Sequence, residues 1–234
     1  MICVGWLYER FLSGFSFSFT ENWSNTSRVI AGLFLSDFLS WFHHYVRHKI
    51  PVLWKFHAVH HSQTQMNPFT DYRAHFIEYL VAKPVVLIPL LMLHLPVEYA
   101  IGIVIFQRCY TLAYHANLKT NYGVLRYILV TPQSHRIHHS ILERHSDKNF
   151  GVILCIWDRI FGTHCSDAGA YPAVGVRDPD FPMENDPRLL GAFKCFVRQN
   201  VYPFQQIFRR RTLSRPGVGC SNIGSGSDRS AQSG

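Results

Sequence analysis

Charge is scarce in this chain, and so are the short motifs that mark most metal and nucleotide chemistry. Of 234 residues only 16% are Asp, Glu, Lys or Arg, while 47% are apolar, a charged share well below that of an ordinary soluble domain. Six cysteines occur (Cys3, Cys109, Cys155, Cys165, Cys195 and Cys220), and no two are spaced C-x-x-C. That leaves Cys-rich zinc modules without support and fits plain thiols in a reducing compartment. H-E-x-x-H is absent, so a zinc protease is unsupported. E-x-x-H is absent too, which argues against a ferritin-like carboxylate site. Gly217-Val218-Gly219 lies in a Ser/Gly/Arg-rich tail rather than between a strand and a helix, so no dinucleotide fingerprint is present. No secretory leader is visible, since Glu9 and Arg10 interrupt the first apolar run.

What the chain does contain is apolar surface. From Val85 to Tyr114 the only charged residues are Glu98 and Arg108. Phe76 to Leu95 and Val97 to Tyr114, separated by His94-Leu95-Pro96, read as a membrane helical hairpin whose first arm carries Pro84 and Pro89. Residues 1–26 are expected to form an interfacial or partly inserted segment. Ser27 to His48 reads as a helix whose apolar part is short for a bilayer crossing and which carries His44 and His48 beyond it. Asn149 to Phe161 is expected to be a short strand or helix, 171–188 a loop, and Leu189 to Phe208 an amphipathic helix. Residues 209–234 form a basic, Ser/Gly-rich tail with the composition of disorder. The net charge is +8, but the basic residues sit singly at the ends of apolar stretches. That pattern suits a membrane surface and no nucleic-acid module.

Fourteen histidines occur, and most are clustered. H-x-x-H-H appears twice, as His57-Ala58-Val59-His60-His61 and His135-Arg136-Ile137-His138-His139, each followed by Ser. His44 and His48 form an i, i+4 pair. At about 100° per residue, the three histidines of each H-x-x-H-H share an arc of about 100° on one helix face. Asp37 points the same way as His44, and His43 points elsewhere. Convergence of these eight imidazoles would hold two metal ions; imidazole suits Zn, Cu, Fe and Ni, so ligand type alone does not name the metal. His94, His145 and His164 read as ordinary surface or core histidines.

These motifs resemble those of the fatty acid hydroxylase/sterol desaturase superfamily, the membrane histidine-rich di-iron oxygenases. Asp37 through His48 is similar to its first motif, Pro51 through Ser62 to its second, and Thr131 through Ser140 to its third. Asn149-Phe150-Gly151 and Trp157 through Thr163 resemble the segment that follows. His115-Ala116-Asn117 resembles a His-x-Asn element. Arg73-Ala74-His75-Phe76-Ile77-Glu78 resembles an Arg-x-His-Pro-x-Glu element, with Phe76 in place of Pro. Tyr45 stands where the family often has Arg, and only 36 residues precede Asp37, where relatives usually carry more membrane helix.

The resemblance implies an all-α fold: integral-membrane helical hairpins and a cytosolic helical cap bearing the dimetal site, within a catalytic domain spanning residues 27–208. It implies two iron ions, with zinc as an experimental substitute, held by His44, His48, His57, His60, His61, His75, His115, His135, His138 and His139. Asp37, Glu78 and Asp158 are the carboxylates expected to orient imidazole N–H groups. The implied activity is O2-dependent hydroxylation or desaturation of a lipid (sterol, fatty acyl or sphingolipid) by an integral membrane protein with its active site on the cytoplasmic face. With no cofactor fingerprint in the chain, electrons would come from a separate cytochrome or ferredoxin-type donor. The competing readings are a non-catalytic metal-binding membrane protein and a membrane zinc hydrolase.

Overall fold

The computed structural model describes residues 2–167, 169–183 and 188–208; the segment 209–234, expected to be disordered, lies outside them. Among the described residues the chain is all-helical. The α-helices are α1 (Ile2–Phe11), α2 (Asn25–Lys49), α3 (Pro51–His61), α4 (Phe76–Met92), α5 (Val97–His115), α6 (Pro132–His138), α7 (Ile156–Ile160) and α8 (Leu189–Phe208), with short 3-10 turns between several of them. Extended pairing is limited to two isolated bridges, Leu129 with Leu154 and Ser140 with Val174.

Local signals set the helix ends that matter for the histidines. Ser24, in extended conformation, caps α2 by accepting from the amide of Ser27. At the other end Pro51 drives Ile50 out of helical conformation (φ −93°, ψ 115°), and then occupies the first turn of α3, where a missing N–H costs nothing. A single residue therefore separates two helices, and the end of α2 folds back against α3. Thr131 opens α6 with a reciprocal cap to Ser134, and Pro132 follows in the first turn.

The expected helical hairpin is α4 and α5, joined through residues 93–96. Its inner face packs with α1 and α2 around Tyr8, Leu87, Leu90, Leu91, Leu95, Ala100 and Ile103. His94 closes the turn in left-handed conformation (φ 55°), and its carbonyl accepts from Arg28. At 17 and 19 residues, the arms measure about 25 and 28 Å, against a hydrocarbon thickness of about 30 Å. No helix of the described residues is long and apolar enough to cross a membrane; Glu78, Lys83, Glu98 and Arg108 interrupt the apolar runs of both arms. The outward faces are nonetheless greasy: Ile30, Phe34, Phe76, Leu80, Val81, Ile105 and Phe106 are all exposed.

Between Asn149 and Phe161 the expected strand or helix is a wired loop ending in α7. The carboxylate of Asp37 accepts from the amides of Ile153 and Leu154 and from Trp157 Nε1. Asp158 accepts from the amides of Phe150 and Gly151, from Trp41 Nε1 and from Thr163 Oγ1. Helix α8 lies along α3, with Phe204 against Phe56 and Tyr202 in a small core with Ala58, Val59 and Phe181.

Candidate metal centre

Nine buried histidines converge in two groups. His44, His48, His57, His61 and His138 form one; His60, His115, His135 and His139 form the other, and within each the ring nitrogens lie within 4.8 Å of one another. The two H-x-x-H-H motifs divide in opposite senses. In α3 the i, i+4 pair His57/His61 joins the five-membered group and His60 the other. At α6 the i, i+4 pair His135/His139 joins the four-membered group and His138 crosses over. Each motif therefore serves both groups, which abut where His61 stacks on His139 with centroids 4.2 Å apart.

Outer contacts fix which nitrogen points inward. A carbonyl oxygen can only accept, so each ring nitrogen facing one must carry the proton. His44 Nδ1 donates to Phe150 O (3.0 Å), His60 Nδ1 to Arg73 O (3.2 Å), His115 Nδ1 to Thr111 O (2.7 Å) and His138 Nδ1 to Lys148 O (2.8 Å). His57 Nδ1 donates to the Glu78 carboxylate at 3.0 Å, which Arg47 also holds at 3.1 Å. His48 Nδ1 faces the Asp147 carboxylate at 3.6 Å. Nε2 of each of the five rings that donate through Nδ1 is thereby the lone-pair atom turned toward the centre.

Those inward atoms have the signature of ligands. Nε2 of His44, His48, His57, His61 and His138 is buried without a hydrogen-bond partner, a costly state unless something else accepts the lone pair. In the smaller group, Nε2 of His135 lies 2.9 Å from that of His115 and 3.1 Å from that of His139, and His60 Nε2 is 3.4 Å from His115 Nε2. His60 and His115 both donate through Nδ1, so their Nε2 atoms face each other as lone pairs and cannot bond one another. Two nitrogens each about 2.1 Å from a shared cation are about 3.0 to 3.4 Å apart in octahedral or tetrahedral geometry. Burial pushes His57, His60, His61, His135 and His139 well below the usual imidazole range, reinforced by neighbouring rings and, for His57 and His60, by Arg47. It pushes His138 down to about 4. Neutral imidazole is the form that ligates. The residues present thus fit a pair of metal ions.

Residues 29–163 match the fatty acid hydroxylase family, more than half of the chain. The chain belongs to the fatty acid hydroxylase family. It is similar to an ornithine lipid hydroxylase from Rhizobium tropici, 29% identical over 92% of this chain and 61% of that protein. It is also similar to alkylglycerol monooxygenases: that of Danio rerio is 36% identical over 55% of this chain and 28% of its own length, and that of Homo sapiens 34% over 53% and 27%. The chain thus spans about three-fifths of the first relative and little more than a quarter of the others. No solved structure matches.

Within this fatty acid hydroxylase domain the expected site residues separate. Nine of the ten histidines expected as ligands come together. His75 does not: its Nε2 meets Asn200 O at 2.9 Å and its Nδ1 accepts from the amide of Ile77, capping α4. The Glu78 carboxylate accepts from His57 Nδ1. The hydrogen bonds of Asp37 and Asp158 go instead to loop amides, indoles and a hydroxyl. Their hold on the centre is indirect, since Asp158 fixes the Phe150 peptide whose carbonyl receives His44. His94, His145 and His164 lie outside both groups, and His145 is buried against Asp167.

A cavity of about 180 Å³ opens onto both groups, bounded by His44 and His57 of one and His60, His115 and His135 of the other. Residues of α2, α4 and α5 complete its lining, Val86, Leu87 and Val104 among them. His43, though no part of either group, lines this space. Arg47 and Asp71 were not singled out from sequence. Arg47 steadies Glu78; Asp71 pairs with Arg108, accepts from Thr111 and lies 3.9 Å from His115 Nδ1. Arg47 carried a weak signal, one turn beyond His44 on the same helix; Asp71 carried none.

Proposed function

We propose that this chain is the catalytic part of a membrane-associated di-iron oxygenase that hydroxylates or desaturates a lipid, using electrons from a separate protein donor. The observation that carries the reading is the single cavity open to two adjoining all-imidazole groups, since a C–H bond held there meets both. Membership of the fatty acid hydroxylase family and the names of the hydroxylase and monooxygenase relatives support the same class. Ferrous ions in the two groups would supply the electron pair that reduces dioxygen and the oxidising power to take hydrogen from an unactivated C–H bond. The overall hydroxylation puts one oxygen atom into the C–H bond and sends the other to water, consuming two electrons and two protons.

The chain's own residues set up that chemistry. Backbone carbonyls and Glu78 hold the rings with Nε2 inward. Burial keeps the rings neutral. Val86, Leu87 and Val104 in the cavity lining suit a hydrocarbon chain. The exposed apolar faces of α2, α4 and α5 form a patch of the kind that marks a membrane contact.

The test combines metal analysis with lipid oxidation. Protein produced with iron should carry two irons per chain and convert lipid only when oxygen and an electron donor are present. His60→Ala should lower metal content and abolish turnover, whereas His164→Asn, outside both groups, should leave both intact. Turnover that persists anaerobically with zinc would instead establish a hydrolase; metal with no oxygen consumption would establish a binding protein.

A further inference from the structure

The charges that line the cavity are unevenly balanced. Arg47 is paired with Glu78 at 3.1 Å. Arg108 is paired with Asp71, whose carboxylate also accepts from Thr111. The histidines are neutral and supply no counter-charge. Lys83 is left over: it lines the same cavity, yet it makes no hydrogen bond or ion pair with any described residue.

Its position on α4 is that of a cavity residue rather than a surface one. Tyr79, Ala82, Lys83 and Val86 follow the i, i+3, i+4, i+7 pattern and all line the cavity, while Leu80 and Val81 on the outer face are 67% and 47% exposed. A lysine whose only task was to reach the water interface would sit on that outer face. Lys83 is partly buried, and a partly desolvated ammonium with no carboxylate assigned to it favours a ligand of opposite charge.

We propose that the cavity admits a lipid bearing an anionic end group, a carboxylate or a phosphate, and that Lys83 binds that group. The proposal rests on the lipid-oxygenase reading and narrows its substrate class. A neutral alcohol or ester would leave Lys83 uncompensated, whereas an anion completes the pairing already seen at Arg47 and Arg108. Lys83 is a specificity residue here, and an anion held by it shares one continuous space with the imidazoles.

The experiment uses three ligands with one chain: hexadecanoate, hexadecyl phosphate and hexadecanol. Their affinities for the full chain in neutral detergent are measured without metal and again with iron. Wild type should bind at least one anion about tenfold more tightly than the alcohol, about 1.4 kcal/mol, and the stronger anion identifies the end group. Lys83→Gln should erase that preference with hexadecanol affinity unchanged, and Lys83→Arg should keep it. Unchanged hexadecanol binding also shows that the Gln variant is folded. Equal binding of all three by wild type, or a preference that survives Lys83→Gln, overturns the proposal. Oxidation is scored separately. Anion preference without O2-dependent product removes the oxygenase reading and leaves Lys83 as the anion site. Equal oxidation of acid and alcohol, insensitive to Lys83, keeps the oxygenase and removes the anion site.

Discussion

At the scale of single residues, the histidine cluster is held together less by its inward nitrogens than by what stands behind the rings. Four of the inward-turned rings are anchored by backbone carbonyls, those of Phe150, Arg73, Thr111 and Lys148, which no side-chain substitution can remove directly. His57 differs, because its Nδ1–H goes to the Glu78 side chain. Glu78→Gln keeps the shape but removes the charge that both His57 and Arg47 use, and its amide can present N–H where a carboxylate can only accept. Loss of such an outer partner typically costs 10–100-fold in metal affinity or activity. Titration of the metal-free variant with metal should therefore show weakening of that order at the five-histidine group only, with the four-histidine group filling as in wild type. Equal weakening at both would mean that Glu78 supports the fold rather than His57.

At the scale of elements, proline and small polar residues did much of the positioning, and these were legible. Pro51 opens α3 and the Thr131-Pro132-Gln133-Ser134 cap opens α6, each within two turns of its H-x-x-H-H. The period of the helix makes each triplet share a face, which spacing alone shows, whereas His115 entered the expected set only through the family resemblance. The division of each triplet between two groups could not be read from spacing, because it depends on the angle at which α3 meets α6. Nor could the fate of His75, Asp37 and Asp158: a side chain's partner is set by which carbonyl or amide the fold brings to it, and backbone groups leave no mark in sequence. The loop at 149–158 shows the consequence. A Cβ on Gly151 would fall 2.8 Å from Leu154 O, 2.7 Å from Val130 Cγ2 and 3.0 Å from Asp158 Oδ2, whereas one on Gly102, within α5, meets nothing within 4 Å. Gly151→Ala must displace backbone, so it should cost about 1–3 kcal/mol and reduce metal content through the Phe150–His44 link. Gly102→Ala should raise stability by about 0.5–1 kcal/mol, with metal content unchanged. Thermal unfolding alongside metal analysis checks both; a harmless Gly151→Ala would mean the loop has slack that its hydrogen bonds do not suggest.

At the scale of the whole molecule, the apolar core and the imidazole cluster occupy different regions. The largest buried apolar cluster joins α1, α4 and α5, with α2 packed on it; α3 shares only a small one with α8 and the 181 region. Around α3 and α6 the interior is histidine, and it includes buried ring nitrogens without a hydrogen-bond partner. Hydrophobic burial should therefore hold the hairpin with or without metal, while the α3–α6 region depends on it. A ligand that binds only the folded state stabilises it by about 4 kcal/mol at a thousand times its dissociation constant, enough to decide whether a marginal region stays closed. Chelation should strip hydrogen-exchange protection from amides of α3, α6 and the 149–158 loop, yet leave the buried stretch around Leu87–Leu91 and Ala100–Ile103 protected, and restoring metal should reverse the loss. Protection that falls evenly across the chain would show one cooperative unit, with the metal stabilising the hairpin as much as its own ligands. Protection that does not change would show that the cluster needs no cation to stay closed, and the unpartnered nitrogens would then require water or some other occupant.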